Sequence, residues 1–162
     1  MTTTRADIDN FLAQRRLAMV GVSRNPKDFS RGLFRELRRR GYDVIPINPH
    51  AGEIEGKPCC ARLQDVLPPV EAALLMTSPT ETEQVVHDCA ESGVRCVWMY
   101  RGAHGPGAVS SRAVEFCREH GIRVVEGHCP FMFLPGTPFF HRVHGFLLKL
   151  TGHYPASTAV GA

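Results

Sequence analysis

Two rhythms of apolar and polar residues alternate along this chain. Short, largely apolar runs occur at Leu17 to Val22, Tyr42 to Ile47, Ala72 to Met76, Arg95 to Met99 and Ile122 to Val125. Runs of this length without regular polar interruption are the mark of strands buried on both faces. Between them the apolar positions recur at helical spacing. Leu33, Phe34 and Leu37 share one face of a helix predicted from Phe29 to Arg40, with Gly41 as its stop. Val85, Val86, Cys89 and Ala90 share a face of a second helix, for which Thr80 with Glu83 three residues on gives a capping-box start. Val109, Ala113, Phe116 and Cys117 share a face of a third, after a glycine-rich loop. A short polar helix is predicted from about Asp7 to Gln14, and another short helix from Ala61 to Leu67, ended by Pro68 and Pro69. Strand and helix in turn at this spacing imply a parallel sheet with right-handed crossovers. The predicted fold is α/β, Rossmann-like and doubly wound, with about five parallel strands and helices on both faces. Its expected boundaries are an N-terminal helix over 1–15, the sheet domain over 16–130 and a C-terminal extension over 131–162.

The connection between the first strand and first long helix carries the chemistry. It reads Gly21-Val22-Ser23-Arg24-Asn25-Pro26. A tight turn from a strand into a helix aims free backbone N–H groups and the positive end of the helix dipole at an anion. The spacing is that of GxGxxG, but Ser23 and Pro26 stand in the second and third glycine positions. Gly21 can still make the turn, Ser23 offers a hydroxyl, and Arg24, Lys27 and Arg31 add cations. An NAD site places an acid about 20 residues further on, at the end of the second strand. Here that strand ends in Asn48-Pro49-His50. A pocket without a carboxylate there suits a ribose that carries its own phosphate, which both coenzyme A and NADP have. Ligands of such sheets lie beyond the carboxyl ends of the strands, so Gly21 to Ser23, Asn48 and Pro49, Thr77 to Pro79, and Tyr100 to Gly102 are expected on one rim.

These residues resemble a known family, the small CoA-binding proteins whose fold matches the N-terminal domain of the succinyl-CoA synthetase α subunit. The resemblance runs from about Leu17 to Pro130. It rests on Gly21, Ser23 and Pro26, on Val44-Ile45-Pro46-Ile47-Asn48-Pro49, on Glu53-Ile54-Glu55-Gly56-Lys57, on Val97-Trp98-Met99 with Gly102, and on Cys129-Pro130. Tyr100 and His128 depart from it, standing where the family has Gln and Arg. The resemblance implies that the turn and helix N-terminus hold the CoA diphosphate, through Gly21, Val22, Ser23, Arg24, Pro26, Lys27 and Ser30. It also implies that Asn48 and Pro49 lie by the adenosine, and that Thr77, Ser78 and Pro79 line the following crevice. Tyr100 and Gly102 complete the expected site.

The chain has 162 residues, 43% of them hydrophobic, enough for one core. Its net charge of +3 is mild, and the basic cluster of Arg35 with Arg38 to Arg40 reads as a solvated helix face, so no nucleic-acid partner is expected. The start of the chain lacks a signal-peptide pattern and no apolar run reaches membrane-spanning length, so a cytoplasmic protein without a membrane partner is expected. The six cysteines lack CxxC spacing and are expected to be reduced thiols. The tail holds Phe131, Phe133, Phe139, Phe140 and Phe146 together with His128, His141, His144 and His153. Its spacings fit no standard zinc pattern, and a surface docking on the domain, a second copy or a partner protein is the reading preferred to a metal. No nucleophile, base and orienting group come together in the sequence, since His128 and Cys129 are adjacent and point apart. The function expected is therefore binding of coenzyme A or an acyl-CoA without catalytic machinery. The alternatives are an NADP-dependent oxidoreductase, with Arg24 or His50 on the 2′-phosphate and Tyr100 as its acid, and an interaction module with a vestigial nucleotide pocket.

Overall fold

The computed structural model describes residues 3–102 and 105–136. Seven strands and four helices follow one another as α1 (Arg5–Ala13), β1 (Arg16–Val20), α2 (Phe29–Arg39), β2 (Asp43–Ile47), β3 (Glu53–Ile54), β4 (Lys57–Pro58), β5 (Ala72–Leu75), α3 (Pro79–Glu91), β6 (Cys96–Tyr100), α4 (Ser111–Glu119) and β7 (Arg123–His128). The sheet has five parallel strands in the order β2-β1-β5-β6-β7. This is the Rossmann-like α/β fold expected, and all five predicted strands are present. The chain runs outward from β1 to β2, then returns to the other side of β1 for β5, so the winding reverses between β1 and β5.

Each face of the sheet has its own core. On one, Val86 and Cys89 of α3 and Ala113, Val114 and Cys117 of α4 close over Ala18, Ala73, Leu75, Val97 and Met99. On the other, Ile8 and Phe11 of α1 and Leu33, Phe34 and Leu37 of α2 cover Leu17, Met19, Leu74 and Trp98. Successive strand residues point to opposite faces, so an unbroken apolar run feeds both cores. Trp98 is fully buried, its ring edge-on to Phe11 at 5.3 Å, and its Nε1–H donates to the carbonyl of His128 at 2.9 Å. Phe133 and Leu134 are also buried in this second core, so the chain stays on the domain past Pro130.

Several local expectations are corrected. The α3 cap is Ser78, not Thr80: the Ser78 hydroxyl accepts from the Glu81 N–H, the Glu81 carboxylate accepts from the Ser78 N–H, and Pro79 fills the first helical position. Proline there already fits φ and lacks an N–H the helix could not use, which moves the start two residues upstream. The predicted helix from Ala61 to Leu67 reduces to a single 3-10 turn over Leu63–Asp65. The segment Glu53 to Lys57 forms an unpredicted hairpin, β3 against β4, turned by Glu55 at φ 51° and Gly56 at φ 72°. The predicted docking residues Phe139, Phe140 and Phe146 and the histidines at 141, 144 and 153 lie outside the described residues. No helix among the described residues is long and apolar enough to cross a membrane.

Candidate functional site

A cavity of about 460 Å³ opens at the point where the winding reverses. The carboxyl ends of β1, β2 and β5 supply Gly21, Asn48, Pro49, His50 and Thr77, and the far wall comes from Arg62, Leu63, Glu81, Gln84 and Asp88. Diverging loops leave this crevice wherever neighbouring parallel strands send their connections to opposite sides, which is why a ligand fits there. Two positions fix its floor. Gly21 has φ 84°, and a Cβ on it would lie 3.0 Å from Thr77 Cγ2 and 3.1 Å from the Met76 carbonyl. Only glycine permits both that backbone and that approach. The Asn48 amide donates to the Val22 carbonyl at 2.9 Å while its oxygen accepts from the His50 N–H at 2.8 Å, so one side chain ties the ends of β1 and β2 together.

The turn from Gly21 to α2 carries more internal bonding than its sequence suggests. Ser23 N–H donates to Ser30 Oγ, Asn25 N–H to Ser23 Oγ, and Lys27 N–H to Asn25 Oδ1. Asp28 is the helix cap: its Oδ1 accepts from Ser30 N–H at 2.8 Å and from Ser30 Oγ at 2.6 Å. Asp28 escaped the sequence reading, although an aspartate directly before an apolar-periodic run is a recognisable cap. Arg31, expected to face an anion, is spent on structure, with its guanidinium on the Glu55 carboxylate and on the carbonyls of Ser23 and Arg24. The side chains of Arg24 and Lys27 are exposed and make no hydrogen bond or ion pair among the described residues. The basic face also differs from expectation in part: Arg40 is mostly covered and paired with Glu36, whereas Arg35, Arg38 and Arg39 are exposed.

Of the predicted residues, Gly21, Asn48, Pro49 and Thr77 line the cavity itself. Val22 is buried beneath the turn, and Ser23, Arg24, Pro26, Lys27 and Ser30 form the turn and the first residues of α2. Ser78 and Pro79 start α3 at the cavity wall, but the wall residues of that helix are Glu81, Gln84, Val85 and Asp88. Tyr100 and Gly102 stand apart from the cavity, at the end of β6. There the Tyr100 ring stacks on Phe29 at 5.2 Å, and Phe29 meets Phe131 edge-on at 5.7 Å. A Cβ on Gly102 would lie 2.6 Å from the Tyr100 hydroxyl. Arg62 and Gln84 were not legible as site residues, because nothing local to them signals a cavity wall.

The cavity walls mix polar side chains, Asn48, Arg62, Glu81, Gln84 and Asp88, with apolar ones, Val20, Ile47, Leu63 and Val85. Two donors from Ser78, its backbone N–H and its hydroxyl, hold the Glu81 carboxyl below the usual range. Burial, with the thiol of Cys129 and the carboxylate of Asp28 nearby, pushes the Tyr100 phenol up to about 12. His128 is buried at 8% exposure, and burial pushes its imidazole below the ordinary value. A phenol so hard to ionise gives no support to Tyr100 as the acid or base of an oxidoreductase.

Known proteins resemble this chain in sequence and architecture. The chain is 23% identical over 128 residues to the α subunit of ADP-forming acetate–CoA ligase II of Pyrococcus furiosus, an alignment covering 75% of this chain and 28% of that subunit. It is 24% identical to the uncharacterized protein YneT of Bacillus subtilis, covering 78% of this chain and 90% of that one. Among solved structures, a hypothetical protein from Pyrococcus horikoshii superposes with a TM-score of 0.72 at 26% identity, covering 79% of this chain and 87% of that one. The chain thus spans under a third of the ligase subunit and nearly all of the small proteins. Residues 15–135, which carry the sheet, the turn and the cavity, match the CoA binding domain, and the chain belongs to that family.

Proposed function

We propose that this protein holds coenzyme A or an acyl-CoA along the carboxyl rim of its sheet, as a binding protein rather than an enzyme. The observation that carries the reading is the cavity at the reversal point between β1 and β5, walled by Gly21, Asn48, Pro49 and Thr77. Its 460 Å³ is ample for a nucleoside, and the turn beside it offers Arg24 and Lys27, which have no partner among the described residues. The adenosine is assigned to the crevice by Asn48 and Pro49, where the guanidinium of Arg62 and the imidazole of His50 line the same cavity and are assigned to its 3′-phosphate. The diphosphate is assigned to Ser23, Arg24, Lys27 and the start of α2. The ligase α subunit is named for acetate and CoA, and its resemblance to this chain supports CoA over other nucleotides.

Calorimetric titration with CoA, 3′-dephospho-CoA and NADPH tests this. Binding of CoA that weakens without the 3′-phosphate supports the assignment. Binding of NADPH with no heat from CoA would transfer the site to an oxidoreductase, and absence of all three would sink the nucleotide reading.

A further inference from the structure

A second cleft opens at the other end of the strands, where β5, β6 and β7 begin. Its volume is about 180 Å³, and Glu71, Arg95 and Arg123 line it together with Asn10 and Gln14 at the end of α1. The three charged residues stand side by side. Arg95 N–H donates to the Glu71 carbonyl at 2.8 Å, and Arg123 N–H donates to the Arg95 carbonyl at 2.9 Å. Backbone pairing thus sets the order carboxylate, guanidinium, guanidinium across neighbouring strands spaced about 4.8 Å apart. Cys96 closes the floor: it is buried, and its thiol donates to the Glu71 carbonyl at 3.5 Å.

On the same end of the sheet other charges are matched within the protein. Arg16, at the start of β1, donates to the Asp43 carboxylate at 3.0 Å, and Lys57 pairs with that carboxylate too. The side chains of Glu71, Arg95 and Arg123 make no hydrogen bond or ion pair among the described residues, even though Glu71 and Arg95 are neighbours in the row. Two guanidiniums held on adjacent strands repel each other, and a ligand with opposite charges in register relieves that repulsion.

We infer that this cleft binds an acidic α-amino acid, with its two carboxylates on Arg95 and Arg123 and its ammonium on Glu71. The charges agree in number and in order, since two guanidiniums and one carboxylate meet two carboxylates and one ammonium. A guanidinium suits a carboxylate because its planar fork donates two parallel hydrogen bonds. Asn10 and Gln14 add uncharged donors and acceptors at the wall. The volume lies below the range of about 300–1,000 Å³ usual for larger ligands, so the cleft takes an amino acid and not a nucleotide. An inorganic anion is a poorer match, because Glu71 would repel it. The site is independent of the proposed CoA cavity, which lies at the carboxyl ends of the strands.

Calorimetric titration of the full chain with L-glutamate, with succinate as the dicarboxylate lacking an ammonium, and with inorganic phosphate tests this. L-glutamate is expected to bind about tenfold tighter than succinate, the scale of one charge-assisted contact. Arg123→Gln is expected to weaken L-glutamate by about the same factor. Glu71→Gln is expected to weaken L-glutamate while succinate binds as well or better, a crossing of preference that a structural role for Glu71 would not produce. Both side chains are exposed, so the melting temperatures should stay close to that of the wild type. Succinate or phosphate bound as tightly as L-glutamate overturns the inference. So does L-glutamate affinity unchanged in both variants, or no heat from L-glutamate at millimolar concentration.

Discussion

The guanidinium of Arg31 is shared between the hairpin and the turn: its Nε and Nη2 donate to Glu55 Oε1 at 2.9 and 2.6 Å, and its Nη1 donates to the carbonyls of Ser23 and Arg24. Glu55 in turn accepts from Arg35, and its backbone carbonyl accepts from Arg38. The β3–β4 hairpin, far from the turn in sequence, is thereby lashed to it through Arg31, and Arg35, which also donates to the Pro26 carbonyl at 3.4 Å, adds a second tie. Glu55 reaches this place because the hairpin turns through it at φ 51°.

Glu55→Gln should therefore act at the turn. Losing the charge removes the strong acceptor of Arg31 and costs about 1 kcal/mol, modest because the pair is partly solvated. Affinity for CoA is expected to fall several-fold as Arg31 releases the Ser23 and Arg24 carbonyls. Denaturant unfolding and calorimetry separate the two effects, and an unchanged affinity would show that the brace serves stability alone.

Gly21→Ala should be far more damaging to binding than its one methyl suggests. The new Cβ meets the Met76 carbonyl at 3.1 Å in a left-handed backbone conformation. Strain of this kind costs about 1–3 kcal/mol, and relieving it moves the end of β1 away from β5. A lowered melting temperature together with lost CoA binding is expected, and a variant as stable as wild type would contradict the tight approach.

Acid should destabilise the protein well before neutral groups titrate. Arg39 and Arg40 hold the Glu36 carboxyl down to about 2 from its ordinary 4.5. Lys57 and Arg16 lower Asp43, and Arg31 and Arg35 lower Glu55. Each carboxyl is lower in the folded state than unfolded, so its contribution is complete above about pH 5 and is lost as pH falls through 4.5 toward 2. Melting temperature measured from pH 7 to 2 should begin to fall below about 6.5, where unfolded His128 takes up a proton that its buried folded form resists, and fall further below about 5 as the carboxyls protonate. In Glu36→Gln the drop should be shallower at its acid end.

Thiol labelling should divide the cysteines into two groups. Cys96 and Cys129 are buried and pushed up to about 11, Cys117 to about 12, and Cys89 is pushed up further by burial. Cys59 and Cys60 are half-exposed. At pH 8 a disulfide reagent is expected to react with Cys60 first and Cys59 more slowly, since burial raises the Cys59 thiol. The other four should react only on unfolding, and rapid labelling of Cys129 in the native protein would contradict its burial.

The outward cations are the cheapest probe of the diphosphate assignment. Arg24→Gln with Lys27→Gln removes two exposed charges that pair with nothing among the described residues, so stability should be unchanged within about 0.5 kcal/mol. CoA affinity should fall about tenfold and lose part of its salt dependence. Unaltered affinity would place the diphosphate elsewhere.

Local sequence by itself determined the five strands of the sheet, the main helices and the turn. A strand buried on both faces must be apolar without interruption, and a helix packed on one side must repeat its apolar residues every three or four, so Leu17 to Val22 and Leu33, Phe34, Leu37 announce their own structure. Gly21 and Pro26 likewise mark the turn, because backbone geometry is a local demand. The tertiary structure alone decided which side chains are free to meet a ligand. Arg31 and Arg24 look alike in sequence, yet Glu55 arrives from a hairpin to claim the first and leaves the second open. Arg62 and Gln84 become cavity walls only when η1, the 3-10 turn over Leu63–Asp65, and α3 pack beside β2 and β5. Pairing of charges and closure of a cavity depend on contacts between distant segments, and no local pattern of residues encodes them.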